Sequence, residues 1–174
     1  MSNTSKFHEL CNEYKLARKE YFDYRQDCER FTSYLITEMI GNFQCPPGAI
    51  KTFSVNSENI SNVRGAISLE DDGFWHLGIK FSLYEEPYSD LYPNEVVLLH
   101  LLIKREDSHF IVKIGNNGSE FKVNKNQSDA LGTFYQSGEL KPFYQHIYEQ
   151  IKSDFQNQPQ RFEEERLLRK IGFQ

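Results

Sequence analysis

The chain has 174 residues, of which 39% are hydrophobic, and it carries a formal net charge of −5. This composition predicts one folded domain over residues 1–174 and excludes an intrinsically disordered chain. The mild acidity disfavours direct binding to a nucleic-acid backbone, because such proteins are usually basic.

The sequence also disfavours a secretory signal, a membrane-spanning helix, disulfide bonds and a zinc site. Residues 1–10 lack an apolar stretch, so we expect no secretory signal. The longest apolar run, residues 96–103, is far shorter than the ~20 residues that a membrane-spanning helix needs. The three cysteines, at positions 11, 28 and 45, are odd in number and widely spaced. We therefore expect reduced thiols, a cytoplasmic location, no membrane contact and no metal or cofactor.

A long helix is predicted over residues 5–40, with Ser5 as its cap and Gly41 at its end. Its apolar or small residues recur at alternating intervals of three and four, which is typical of a coiled-coil seam. These seam positions are Phe7, Leu10, Tyr14, Ala17, Tyr21, Tyr24, Cys28, Phe31 and Leu35. At ~1.5 Å per residue the helix is roughly 50 Å long, more than one small domain easily covers. The sequence leaves open whether the seam packs on its own sheet or on another chain.

An antiparallel meander of five or six strands is predicted over residues 50–124, because the hydrophobic pattern there has period two. The alternating strands cover residues 63–69 and 75–83, and a three-residue loop ending at Gly73 sets Leu69 opposite Trp75. Residues 96–103 are apolar on both faces, as in a central strand. The predicted strand pairs further along the meander are Ile103 with Val112, Leu101 with Ile114, Ile114 with Phe121, and Val112 with Val123.

Two or three C-terminal helices are predicted over residues 126–171: a weak one over 126–135, a stronger one from Pro142 to Phe155, and a last one from Pro159. The fold class is therefore α+β: a long N-terminal helix, an antiparallel meander and C-terminal helices. This architecture occurs in unrelated functional families and assigns no activity.

The leading functional hypothesis is a non-catalytic protein–protein interaction module, a small accessory or regulatory subunit that binds itself or another protein. The seam and the long loop over residues 85–93 provide its contact surfaces, since tyrosines give large contact area at low entropic cost. Its candidate interface residues are Tyr14, Tyr21, Tyr24, Tyr84, Tyr88 and Tyr92.

Two alternatives stay open. A small-ligand-binding protein or enzyme would have a pocket between sheet and helices, with His100 or Tyr144 as polar contributors. A metal-dependent nuclease would use Glu120 and Lys122, which resemble the E-x-K element of PD-(D/E)xK nucleases, with Asp107 upstream. The predicted register opposes Glu120 to Gly115 and so leaves Asp107 about 26 Å away, too far to share a metal.

Overall fold

Helix α1 (Lys6–Phe43) opens the fold in the computed structural model, which describes residues 5–86, 95–128, 132–135, 138–157 and 168–173. The Ser5 hydroxyl caps it by accepting a hydrogen bond from the His8 backbone N–H at 3.3 Å. The predicted helix is confirmed, but its predicted end at Gly41 is wrong. The helix continues to Phe43 and stops at Gln44, which takes a left-handed conformation with φ 52°.

The sheet has eight strands among the described residues: β1 (Ile50–Phe53), β2 (Ser68–Leu69), β3 (Trp75–Leu83), β4 (Glu95–Glu106), β5 (His109–Ile114), β6 (Phe121–Ser128), β7 (Gly132–Tyr135) and β8 (Leu168–Ile171). Six of them lie side by side in the order β1-β3-β4-β5-β6-β7. Strand β2 also pairs with β3, and β8 pairs with β4. Two further helices are α2 (Val63–Ala66) and α3 (Lys141–Asn157).

The predicted registers of β2 with β3 and of β4 with β5 are confirmed. Leu69 lies opposite Trp75, and Gly73 takes the left-handed conformation with φ 77° that the short loop requires. Ile103 lies opposite Val112. These pairings keep the apolar side chains on one face, as the alternation predicts.

The predicted pairing of β5 with β6 is wrong by two residues. Val112 lies opposite Phe121 instead of Val123, because the chain leaves β5 at Gly115, with φ 69°, and makes a wider loop than a two-residue Asn117-Gly118 turn. A shift of two residues preserves the faces, so the pattern of apolar residues could not reveal it.

The strand predicted over residues 63–69 is correct only at its end. Asn62 caps a single helical turn, α2, by accepting a hydrogen bond from the Gly65 N–H at 3.0 Å. This local bond replaces the strand pairing that the alternating residues suggested.

The predictions for residues 126–171 are partly wrong. Helix α3 confirms the helix predicted from Pro142. The helix predicted over residues 126–135 is wrong, because the chain there completes β6 and returns as β7. Most of the last predicted helix lies outside the described residues, and its end is instead β8, which runs parallel to β4.

Helices α1 and α3 pack on one face of the sheet and form the main core with it. Phe31 of α1 stacks on Phe110 of β5, with ring centroids 4.2 Å apart. Phe143 of α3 contacts Phe121 of β6 edge to face at 5.5 Å. The odd-numbered apolar residues of β3 and β4 face the same cluster. The core therefore holds only the C-terminal half of α1.

Candidate functional site

The apolar seam of α1 is divided between a buried half and an exposed half. From residue 24 onward it packs on the sheet, and Cys28, Phe31 and Leu35 are fully buried. Every residue from 5 to 23 is exposed. We call the sheet, α3 and the C-terminal half of α1 the body. At ~1.5 Å per residue, the part of α1 before Tyr21 extends about 24 Å beyond it.

The exposed half carries large apolar side chains at the same spacing as the buried half. Phe7 is 72% exposed, and Leu10 and Tyr14 are each 67% exposed. Ala17 lies one turn further along the same face and is also exposed. Within the described chain nothing covers these four residues, which we call the free seam. The solvated face of a helix is normally polar, so an exposed apolar row of this kind is unusual.

Tyr21 and Tyr24 mark the junction where the seam reaches the body. The Tyr21 ring lies 6.0 Å from the Trp75 ring and stays 39% exposed. The half-buried Tyr24 contacts Trp75 edge to face at 5.7 Å, and the Arg105 guanidinium lies over its ring at 5.1 Å. The three candidate interface tyrosines of α1 therefore differ in environment, and Tyr14 alone has its ring on the free seam.

An ion-pair cluster fixes the helix on the sheet just beyond this junction. The Asp27 carboxylate accepts hydrogen bonds from Arg105 of β4 and Lys125 of β6, both at 2.6 Å. Burial alone would raise the pKa of the Asp27 carboxyl, but the hydrogen bonds from Lys125 and Arg105 hold that pKa below its usual value. The direction in which the free seam leaves the body is thus set by groups on two strands.

The tyrosine-rich loop is described only at its beginning. Tyr88 and Tyr92 lie outside the described residues, while Tyr84 lines a cavity of about 510 Å³. This cavity lies between the end of α1, β3 and α3. Its apolar walls include Phe43, Phe81, Leu83, Tyr148, Ile151 and Phe155.

The two candidate pocket residues do not line that cavity. The Tyr144 hydroxyl donates a hydrogen bond to the Leu35 carbonyl at 2.9 Å, and its ring borders a separate cleft of about 170 Å³. Burial raises the pKa of Tyr144, so its hydroxyl stays protonated. His100 lies on the opposite face of the sheet and takes part in a chain of polar contacts.

That chain links two strands and the C-terminal segment, and the sequence did not predict it. His76 Nε2 lies 3.0 Å from Asp72 Oδ2, and His76 Nδ1 lies 2.9 Å from His100 Nε2. His100 Nδ1 lies 3.2 Å from the Gly172 carbonyl oxygen. The pairing of Gly78 with His100 would have placed both imidazoles on one face, but β3 and β4 are joined by a long loop that does not define their register.

Glu120 lies beside a lysine and not beside Asp107, the acidic residue upstream. The observed register aligns Glu120 with Lys113, and their side chains approach to 3.8 Å. Asp107 is six residues from Lys113, about 20 Å along the strand at ~3.3 Å per residue. In the part of the chain that the structure describes, no group of three or more His, Cys, Asp or Glu side chains could hold a metal ion.

No protein-family model, curated protein or solved structure matches the chain. Among the described residues, no helix combines the length and apolar character required to cross a bilayer.

Proposed function

We propose that this protein is a non-catalytic interaction module, an accessory or regulatory subunit that works in the cytoplasm and binds a protein helix through its free seam. One observation carries the proposal: Phe7, Leu10 and Tyr14 stay largely exposed. They have the same three-four spacing as the residues that pack on the sheet from Tyr24 onward. The same helix face that packs in the body is thus available to a partner outside it.

The composition of the exposed half supports a helix as the partner. Most helical stability in proteins comes from packing an apolar face, so covering this stripe would stabilise the projecting half of α1. Apolar residues spaced three and four apart form one stripe, which fits a second helix crossing at a small angle.

The test compares two leucines on the projecting half of α1. Leu10→Glu places a charge on the free seam, whereas Leu16→Glu makes the same change at a residue that is 56% exposed and lies on another face. Fluorescently labelled proteins are sedimented alone and in an extract of host cells. We expect wild type and Leu16→Glu to sediment in a complex in at least one condition, and Leu10→Glu as a monomer in both. A wild-type protein that is monomeric in both conditions would refute the proposal.

A second candidate function is the binding of a small apolar ligand in the 510 Å³ cavity. Its size and apolar lining are typical of small-molecule sites, and Lys152 at the wall offers a cation to an acidic head group. A long-chain fatty acid should then raise the melting temperature of wild type but not of Ile151→Trp, which fills the cavity. Equal shifts in both proteins, or none in either, would count against a ligand role.

Among the described residues, no group of possible metal ligands supports a metal-dependent nuclease built on Glu120 and Lys122.

A further inference from the structure

We propose that the partner of the free seam is a second copy of this chain, bound antiparallel along the projecting half of α1. The inference rests on the proposed function and names the partner of the same surface. It is carried by three observations: where the body covers the helix, which apolar residues stay free, and how charges flank them.

The position of the body favours an antiparallel arrangement. The sheet covers the seam face of α1 at Cys28, Phe31 and Leu35. In a parallel pair, both sheets would lie at the same height between the two helices and would occupy the same space. In an antiparallel pair the two bodies lie at opposite ends, and each free seam meets only the free seam of the other copy.

The length of the free seam sets the register. If Leu10 of one copy packs against Tyr14 of the other, Phe7 packs against Ala17, and a two-fold axis repeats both contacts. The N-terminus of each helix then reaches the height of residue 19 in the second copy. It stops short of Tyr21, which keeps its contact with Trp75. All four free-seam residues are covered, and the described part of each helix does not reach the body of the other copy.

The charges beside the seam fit this register. Lys6 and Glu20 flank the seam on the same side, each one residue before a seam position. In the antiparallel pair Lys6 of each copy lies beside Glu20 of the other, so two opposite-charge pairs form. Glu13 of one copy lies beside Glu13 of the other copy near the two-fold axis, where solvent screens their repulsion. In a parallel pair Glu20 would instead face Arg25, which already binds Glu29 at 2.8 Å.

A charge exchange tests the pairing. Lys6 and Glu20 are fourteen residues apart on one helix, about 21 Å, so any coupling between them must act between chains. We expect Lys6→Glu and Glu20→Lys each to raise the dimer dissociation constant about three- to tenfold, and the double variant to restore it within about twofold. Sedimentation of the purified protein measures the constants. Additive losses in the double variant would overturn the register.

Glu13→Gln gives an independent readout of orientation. In the antiparallel pair it removes a like-charge contact and should tighten the dimer about twofold. In a parallel pair Glu13 would face Arg18 of the other copy, and the same substitution would weaken association. A weaker Glu13→Gln dimer would therefore overturn the antiparallel arrangement.

A label on the body measures the arrangement directly. Ser33 is exposed, and the antiparallel register places its two copies about 60 Å apart along the helix axis. Spin labels are attached to Ser33→Cys after Cys11 and Cys45 are changed to serine. Cys28 can stay, because burial raises the pKa of its thiol to about 12 and keeps it unreactive. Label separations below about 30 Å would indicate a parallel pair and overturn the proposal.

The outcomes separate this inference from the proposed function. Self-association is overturned if the purified wild-type protein stays monomeric at about 100 µM. The interaction module is left intact in that case if wild type still forms a complex in host extract and Leu10→Glu does not. A protein that is monomeric in both settings overturns both.

Discussion

The two imidazoles on the outer face of the sheet have a definite proton requirement. Asp72, His76, His100 and the Gly172 carbonyl are joined by three contacts of 2.9–3.2 Å, and each needs one N–H donor. Two neutral imidazoles supply only two N–H groups. One contact therefore lacks a donor unless one ring carries an additional proton.

His100 is the member of this chain that should make folding stability depend on pH. Burial, and then the neighbouring His76, lower its pKa, while the Gly172 carbonyl, Asp72 and Glu70 oppose this effect. The unfolded chain therefore binds a proton on this imidazole at a higher pH than the folded chain does. Acidification through about pH 6.5 then favours unfolding, because the unfolded state takes up more protons there.

We expect the melting temperature of wild type to fall further between pH 7.5 and 5.5 than that of His100→Leu. Each kcal/mol of lost stability corresponds to about 2–4 °C in a chain of this size. This pH range lies above the range in which carboxylates titrate. Differential scanning fluorimetry measures the melting temperatures. His8→Gln is the control, since His8 is exposed on the projecting helix and far from this chain of contacts. Parallel profiles for wild type and His100→Leu would contradict the prediction.

Among the helices and strands, those whose structure is set by their own residues could be predicted from the local hydrophobic pattern. The helix α1, the strands β3 to β5 and the helix α3 each carry a strong hydrophobic pattern of their own, and these predictions are confirmed. Strand β8 could not be predicted, because it is held by the edge of β4 that β5 leaves open, a feature of the folded sheet alone. The sequence predicts the seam of α1 as a whole, but it does not show which half packs on the sheet and which half faces solvent.

The division of the seam predicts different roles for equivalent positions. Phe31→Ala removes a fully buried ring stacked on Phe110 and should destabilise the fold by about 3–5 kcal/mol. Tyr14→Ala removes a ring that is 67% exposed and should change monomer stability by less than about 0.5 kcal/mol.

Urea unfolding of the monomer at low protein concentration measures both values. The same Tyr14→Ala variant should weaken association. A large loss of monomer stability in Tyr14→Ala would show that the projecting half of α1 packs on the body.

For the whole molecule, strand β4 links most of the structure. It pairs with β3 along its length on one side, and with β8 and then β5 on the other. The ends of β5 and β8 meet at two glycines: a Cβ added to Gly172 would lie 2.7 Å from the Gly115 backbone nitrogen. This close contact brings the Gly172 carbonyl to His100, so the C-terminal segment completes both the sheet edge and the polar chain.

Gly172→Ala should therefore loosen the C-terminal strand selectively. Gly172 has φ 83°, so alanine is strained there, and its methyl group also meets the Gly115 backbone. Gly138→Ala is the matched control, because Gly138 has φ 94° but its nearest contact is the flexible Lys141 side chain at 3.8 Å. We expect Gly172→Ala to lower the melting temperature more than Gly138→Ala, and to accelerate hydrogen exchange at residues 96–99 while residues 101–106 stay protected by β5. Equal effects of the two substitutions would mean that the glycine contact does not hold β8 on the sheet, and the link between the C-terminal segment and β4 would then rest on strand pairing alone.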